Sequence, residues 1–194
     1  MIKRLIDVVA SALALVIFSP PLAIAALFIK LTSRGPVLFT QERVGRNFRP
    51  FRILKLRTMR ERRPGDELQI TAGGDPRVTS VGRVLRRFKI DELPQFVNVL
   101  RGDMSLVGPR PEVPKYVEMF RGDYEEVLRC RPGITDLASI KYRDEESILA
   151  QAADPEKAYV TRVLPDKIAL AKEYVRSQST LLDLRIMVRT VLSL

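Results

Sequence analysis

Histidine and tryptophan are both missing from the 194 residues, and Cys130 is the only cysteine. Without histidine there is no imidazole base, no Ser-His-Asp arrangement and no His-ligated zinc. Acid, base and nucleophile chemistry therefore falls to carboxylates. A single cysteine excludes an intrachain disulfide and points to a cytoplasmic body; Cys130 itself reads as a small buried apolar side chain. The lack of tryptophan, with no continuous basic stripe interleaved with aromatics, argues against nucleic acid as a partner. The 13 prolines and 10 glycines are spread along the chain without repeats or a low-complexity block. What is abundant is positive charge: 33 Lys and Arg against 23 Asp and Glu, a net +10. That balance calls for an anionic partner, and the length suits one domain with a real core.

The one long apolar run is LIDVVASALALVIFSPPLAIAALFIKL, Leu5 to Leu31. A straight helix of that length would be about 40 Å, enough for a bilayer core of roughly 30 Å. Pro20 and Pro21 cannot donate to the carbonyls of Val16 and Ile17, so a kink is expected, and the Ser19 hydroxyl can serve one freed carbonyl. The two halves are about 21 Å and 15 Å, each too short to cross alone. Lys3 and Arg4 precede the run, and Lys30, Arg34, Arg43, Arg46 and Arg49 follow it, so both flanks favour the cytoplasmic side. A re-entrant helix–break–helix fits both observations; a kinked single span with a short outer tail is the alternative. Asp7 reads as an interfacial partner of Lys3, one turn away.

Beyond the run, VLFTQERVG and FRPFRILKLRTM, separated at Gly45 and Asn47, predict a β-hairpin with a basic face. Glu61 to Pro76 is turn-rich and predicts a mobile loop. RVTSVGRVLRRF predicts a basic amphipathic helix with Val78, Val81, Val84, Leu85 and Phe88 on its apolar side. Pro94 places the next helix start around Asp91 to Leu93, with Gly102 as its stop. One helix or a pair is expected in VPKYVEMFRGDYEEVLRC, then a loop with strand-like pieces in RPGITDLASIKYRDEE, then helices in ESILAQAA and PEKAYVTRVLPDKIALAKEYVRS. Thr180 to Leu194 carries more apolar positions than one helical stripe, which predicts docking on the core or on a membrane surface.

In KIDELPQ, Asp91 and Glu92 stand side by side at a helix start, within the densest arginine cluster. An Asp there is also an ordinary helix cap. Adjacent residues do not share a helix face, so the two can take separate roles. Arg86, Arg87 and Lys89 precede the dyad, Arg101 follows, and GPRP sets Arg110 on a proline-stiffened loop. Lys55 and Arg57, two apart on a strand, project from one face. Such a set can hold a diphosphate while a carboxylate binds Mg²⁺ or attacks phosphorus. Arg57 and Arg87 read equally as phosphate ligands and as solvated or lipid-headgroup contacts, and Lys89 reads more readily as the latter.

The stretches KRLIDVVASALALVIFSPPLAI, GPVLFTQERVGRNFRPFRILKLRTM, DPRVTSVGRVLRRFKIDELPQFVNVLRGDMSLVGPRPE and RPGIT closely resemble the bacterial sugar transferase family. These are monotopic polyprenyl-phosphate phosphoglycosyl transferases that open many cell-surface glycan pathways. The resemblance is strongest from Lys3 to Thr135 and is to the minimal catalytic form, without extra N-terminal membrane helices. It implies an α+β, mainly helical fold: a re-entrant membrane anchor over residues 1–32 and a cytoplasmic, membrane-associated catalytic domain over 33–194. That domain would hold a small β-hairpin and amphipathic interfacial helices around the active site, on the cytoplasmic face of the bacterial inner membrane.

The implied chemistry matches the local reading. Asp91 would attack the β-phosphorus of a UDP-sugar, expel UMP and hold the sugar phosphate covalently; a polyprenyl phosphate would then take it. Glu92 would be base or positioning group, and Mg²⁺ would bridge Asp91 and the diphosphate. Lys55, Arg86 and Arg110 would neutralise phosphate oxygens, Arg143 would serve the nucleotide, and Ser19-Pro20 would make the membrane helix break. Membrane lipids are further expected partners. The chain departs from many relatives after RPGIT, where Asp136-Leu137-Ala138-Ser139 replaces Gly-Trp-Ala-Gln, and at KYRDEES, which bears on sugar and base preference. Two other readings remain: a membrane-anchored basic protein that binds anionic lipid or nucleic acid without catalysis, and a transferase that passes sugar without phosphate.

Overall fold

The computed structural model describes residues 2–60 and 75–193. The stretch read above as a mobile loop lies outside the described residues apart from Asp75 and Pro76; there Asp75 pairs with Arg77 at 2.6 Å.

Two helices open the chain, α1 (Ile2–Ile17) and α2 (Ser19–Thr32), bent by 58° at Phe18. The bend follows from the two prolines. Val16 has lost the amide donor that a residue other than Pro20 would supply, and its carbonyl instead accepts the Ser19 hydroxyl at 2.8 Å. Among the described residues no single helix is long and apolar enough to cross a membrane. The pair nonetheless exposes Leu5, Val9, Leu13 and Val16 on α1 and Ile24, Leu27, Phe28 and Leu31 on α2.

The polar residues of α1 face the body. Lys3 donates to Asp183 at 2.6 Å, the Val107 carbonyl at 3.0 Å and Tyr174 at 3.3 Å. Arg4 donates to the carbonyls of Val99 and Leu100, at 2.7 and 3.1 Å. Asp7 does not pair with Lys3. It is buried, accepting from the Ser105 hydroxyl at 2.9 Å and the Leu106 amide at 3.0 Å. These two donors lie inside the body and need an acceptor more than an exposed ammonium does. Asp7→Ala would strand both, so a loss of about 1–3 kcal/mol is expected in thermal unfolding of the detergent-solubilised protein.

The predicted hairpin forms from β1 (Leu38–Val44) and β2 (Pro50–Leu56), antiparallel, with Phe39 opposite Lys55 and Arg43 opposite Phe51. Its tip turns through Asn47, at φ 55°, a left-handed conformation that asparagine tolerates. Helix α3 (Ser80–Arg87) is capped by the Thr79 hydroxyl, which accepts from the Gly82 amide. Its apolar side is narrower than the sequence suggests. Val81 and Leu85, one turn apart, pack with Ala25 and Ile29 of α2, whereas Val84 and Phe88 are exposed.

Then come α4 (Gln95–Arg101) and β3 (Ser105–Val107), followed by the helix pair α5 (Pro114–Met119) and α6 (Arg121–Val127). β4 (Gly133–Thr135) pairs in parallel with β3, a contact that three-residue segments do not announce. It depends on glycine: a Cβ on Gly133 would lie 2.1 Å from the Gly108 nitrogen. Short helices α7 (Leu137–Lys141), α8 (Glu145–Ala150) and α9 (Pro155–Ala158) follow. α9 runs through a π turn at Tyr159–Val163 into α10 (Leu164–Ser177), and α11 (Thr180–Leu192) completes the order. The main core joins α5, α6 and α10 through Tyr116, Val117, Tyr124, Val127, Leu164 and Ile168. Only the Asp183 and Ile186 positions of α11 are buried; its other side is open. Cys130 is partly buried as expected, and burial pushes its thiol up to about 11.

Candidate active site

Asp91 and Glu92 sit in a tight turn, Ile90–Glu92, entered through Lys89 at φ 55°. Pro94 caps α4, so the regular helix starts at Gln95, later than its sequence position suggests. The dyad is thus held by the turn before the helix. Neither Lys89 at the start of the turn nor Pro94 at the start of α4 makes a side-chain cap hydrogen bond.

The two carboxylates have opposite environments. Glu92 is gripped by Lys55 at 2.9 Å and by both arms of Arg110, at 2.6 and 3.4 Å. Burial alone would raise its pKa, but the charges of Arg110 and Lys55 outweigh this and hold it well below the usual carboxylate range. Conversely, Glu92 raises the Arg110 guanidinium, while burial lowers Lys55. Asp91 is 6% exposed, and its Oδ1 has no hydrogen-bond partner. Burial pushes its carboxyl up, partly offset by Lys55. An unsatisfied buried carboxylate oxygen is costly, and on a cleft wall it is a candidate point of ligand contact.

Asp91 opens on a cleft of about 1900 Å³. Ala10, Ala14, Phe18 and Pro21 of the bent helices, with Met187 and Val191 of α11, line one arm of it. Lys55, Arg86, Arg110 and Arg143 line the polar part. The structure therefore brings Asp91, Glu92, Lys55 and Arg110 into direct or near contact. Arg86 is near but engaged: it donates to Thr58 at 3.0 Å and pairs with Glu146 at 2.8 Å.

Arg57 is a correction. It lies beyond the end of β2, is 7% exposed, and donates to the Arg34 and Ser33 carbonyls at 2.6 and 2.9 Å. It is neither a solvated nor a headgroup contact; it ties the end of α2 to the hairpin. Arg87 and Lys89 are exposed.

Two residues whose part the sequence did not reveal hold the Arg110 loop. Asp136, 3% exposed, accepts the Arg110 amide at 3.1 Å and the Ser139 amide at 2.7 Å. Arg43 donates to the Pro111 carbonyl at 3.1 Å and to Glu112 at 3.2 Å, and Glu112 also accepts from Tyr159 at 2.5 Å. Asp136 stands out in the sequence only as a departure from the usual motif, and Arg43 only as one more basic residue. The signals that could have found them are the Asp-x-x-Ser cap and the alternation along β1.

With the geometry in place, comparison with known proteins identifies the family. The family model described as bacterial sugar transferase matches residues 1–194. The chain is 45% identical to the UDP-glucose:undecaprenyl-phosphate glucose-1-phosphate transferase of Caulobacter vibrioides, over 99% of this chain and 69% of that protein. It is 41% identical to a UDP-N-acetylgalactosamine-undecaprenyl-phosphate N-acetylgalactosaminephosphotransferase of Aeromonas hydrophila, over 98% of this chain and 43% of that one. It is 37% identical to a UDP-glucose:undecaprenyl-phosphate glucose-1-phosphate transferase of Escherichia coli, over 98% of this chain and 39% of that one. The chain thus spans less than half the length of the last two. The resemblance read from the DELPQ and GPRP motifs holds over the whole sequence, and the chain is an enzyme of the bacterial sugar transferase family.

Proposed function

We propose that this protein transfers a sugar 1-phosphate from a UDP-sugar to a polyprenyl phosphate, releasing UMP, as the first membrane step of a bacterial surface glycan pathway. The observation that carries this reading is the bare, buried Oδ1 of Asp91 beside a set of cations able to hold a diphosphate. In the first half-reaction Asp91 Oδ1 bonds to the β-phosphorus, and the bond from that phosphorus to the UMP oxygen breaks. In the second, an oxygen of the polyprenyl phosphate bonds to the same phosphorus and Asp91 leaves as carboxylate. Lys55 and Arg110 pass from Glu92 to the substrate phosphates. In the substrate-free cleft Glu92 holds these two cations in place, and its role is to position them for the phosphates.

The Asp91 carboxylate also suits Mg²⁺, which proteins usually hold through one or two carboxylates plus substrate phosphates. Asp91 would hold the ion, whose chemistry there is to neutralise diphosphate charge. Arg86, once released from Glu146, is a further phosphate ligand, and Arg143 on the cleft wall serves the nucleotide.

Residues 1–32 are read as a re-entrant anchor in the cytoplasmic leaflet of the inner membrane, and 33–194 as the catalytic domain. Lys3 and Arg4 support this, because they fasten the start of α1 to the same body that α2 meets through Ala25 and Ile29. A spanning helix would carry its N-terminus away and break those bonds. The apolar arm of the cleft along Ala10, Ala14 and Phe18 would take the first isoprene units of the acceptor.

The decisive measurement is product identity with purified enzyme, a panel of UDP-sugars and polyprenyl phosphate. UMP is expected; UDP as the nucleotide product would mean transfer of sugar without phosphate. With UDP-sugar alone, mass spectrometry should find a phosphosugar adduct on the peptide containing Asp91.

A further inference from the structure

Asp91 is not alone in bringing a bare polar atom to the cleft. Among the described residues, four buried side-chain atoms without a hydrogen-bond partner belong to residues that line it: Asp91 Oδ1, Arg43 Nε, Arg57 Nε and Ser139 Oγ. The two arginines bond through their other nitrogens. Ser139 has no other polar side-chain atom, so its side chain is wholly unpaired. The usual remedy for a helical serine is the carbonyl four residues back. Here that carbonyl is Thr135, and it accepts the Gly108 amide at 3.1 Å instead. A hydroxyl buried without a partner is costly, and a ligand that bonds it recovers that cost.

The place of Ser139 in the fold says what kind of ligand this is. It lies in α7, which is fixed at both ends. Asp136 accepts the Ser139 amide at 2.7 Å, while Lys141 and Tyr142 donate to Asp166 of α10, at 2.7 and 2.8 Å. The other oxygen of Asp136 accepts the Arg110 amide at 3.1 Å. One carboxylate thus ties Ser139 to the loop that carries the phosphate fork, and Arg143, four positions on, lines the same cleft. We infer that the Ser139 hydroxyl selects the donor substrate, by bonding a ring hydroxyl of a group attached to the diphosphate. That group is the pyranose on one side or the ribose on the other, each joined to the diphosphate through an ester oxygen. The inference rests on the proposed function and deepens it. A serine hydroxyl turns about one torsion and both donates and accepts, so it can serve such a group in either sense. Many relatives carry glutamine at this position, a side chain of different reach, so the contact belongs to this chain.

Ser139→Ala tests this cleanly, because it removes the hydroxyl and keeps the amide that Asp136 accepts. With the full-length enzyme, polyprenyl phosphate and the best UDP-sugar of the panel, kcat/KM for the donor should fall about three- to tenfold, the worth of one neutral hydrogen bond. The deciding comparison is a cycle with donors that lack single hydroxyls, on the sugar in one arm and at the 2′ or 3′ position of the ribose in the other. One such donor should show a similar loss with wild type and no further loss with Ser139→Ala. A deoxy-sugar behaving so places the contact on the pyranose, and a deoxy-ribose places it on the nucleotide. If Ser139→Ala leaves kcat/KM unchanged, or lowers it by the same factor for every donor, the hydroxyl meets no ring hydroxyl and the inference fails. Either result with UMP as the product overturns this assignment alone. Release of UDP by the wild type overturns the proposed function, and this inference with it.

Discussion

Asp91→Asn is expected to lower turnover by at least about a thousandfold while leaving the fold intact. The side chain is nearly isosteric, and it sits in a turn whose main-chain bonds, Glu92 amide to Lys89 carbonyl and Leu93 amide to Ile90 carbonyl, do not involve it. What the amide removes is the charged oxygen that would form the acyl phosphate. The adduct on the Asp91 peptide should vanish with it, and wild-type kinetics should be ping-pong. Residual activity above a few per cent would exclude Asp91 as the nucleophile. The pH profile gives an independent check. Burial raises this carboxyl, and the attacking form is the ionised one. Activity should therefore be lost as pH falls through the raised pKa of Asp91, with the acid limb of kcat/KM shifted upward from that of an ordinary aspartate.

Arg110→Ala should come second in size, with kcat/KM falling by at least about a hundredfold, the scale of removing one preorganised charge-stabilising donor. Arg110 presents a two-pronged fork, now filled by the two oxygens of Glu92. Its loop is fixed from several sides: Asp136 takes its amide, Arg43 takes the Pro111 carbonyl, and the Gly133 amide bonds to the Pro109 carbonyl. A fork positioned in advance costs little to reorganise when phosphate arrives. Arg110→Lys should recover only part of the loss, since a point charge keeps the attraction without the two-pronged geometry. Arg87→Ala, at an exposed site, should change kcat/KM by only a few-fold. Equal, mild losses at both positions would mean that the cleft works by diffuse positive potential.

The sequence by itself determined the parts whose cause is local. The prolines at 20 and 21 dictate a break wherever that helix sits, and Ser19 is the neighbour able to satisfy the freed carbonyl. Alternating side chains around Gly45 and Asn47 specify the hairpin. DELPQ and GPRP, read as motifs, name Asp91, Glu92 and Arg110, and the excess of basic residues calls for an anionic partner. Tertiary structure decided what depends on residues far apart in the chain. Asp7 lies next to Lys3 in sequence, but its partners are 98 and 99 positions away. Arg57 shares strand parity with Lys55, yet the strand ends at Leu56, and the carbonyls at the end of α2 capture its guanidinium. The difference between Asp91 and Glu92 is likewise invisible in the sequence. Both are acids at the start of one helix, and only the arrival of Lys55 from the hairpin and Arg110 from the β3–α5 loop pairs one and leaves the other with a bare oxygen. Spacing along a chain sets which way a side chain points, whereas burial and the charge brought opposite it set what it can do.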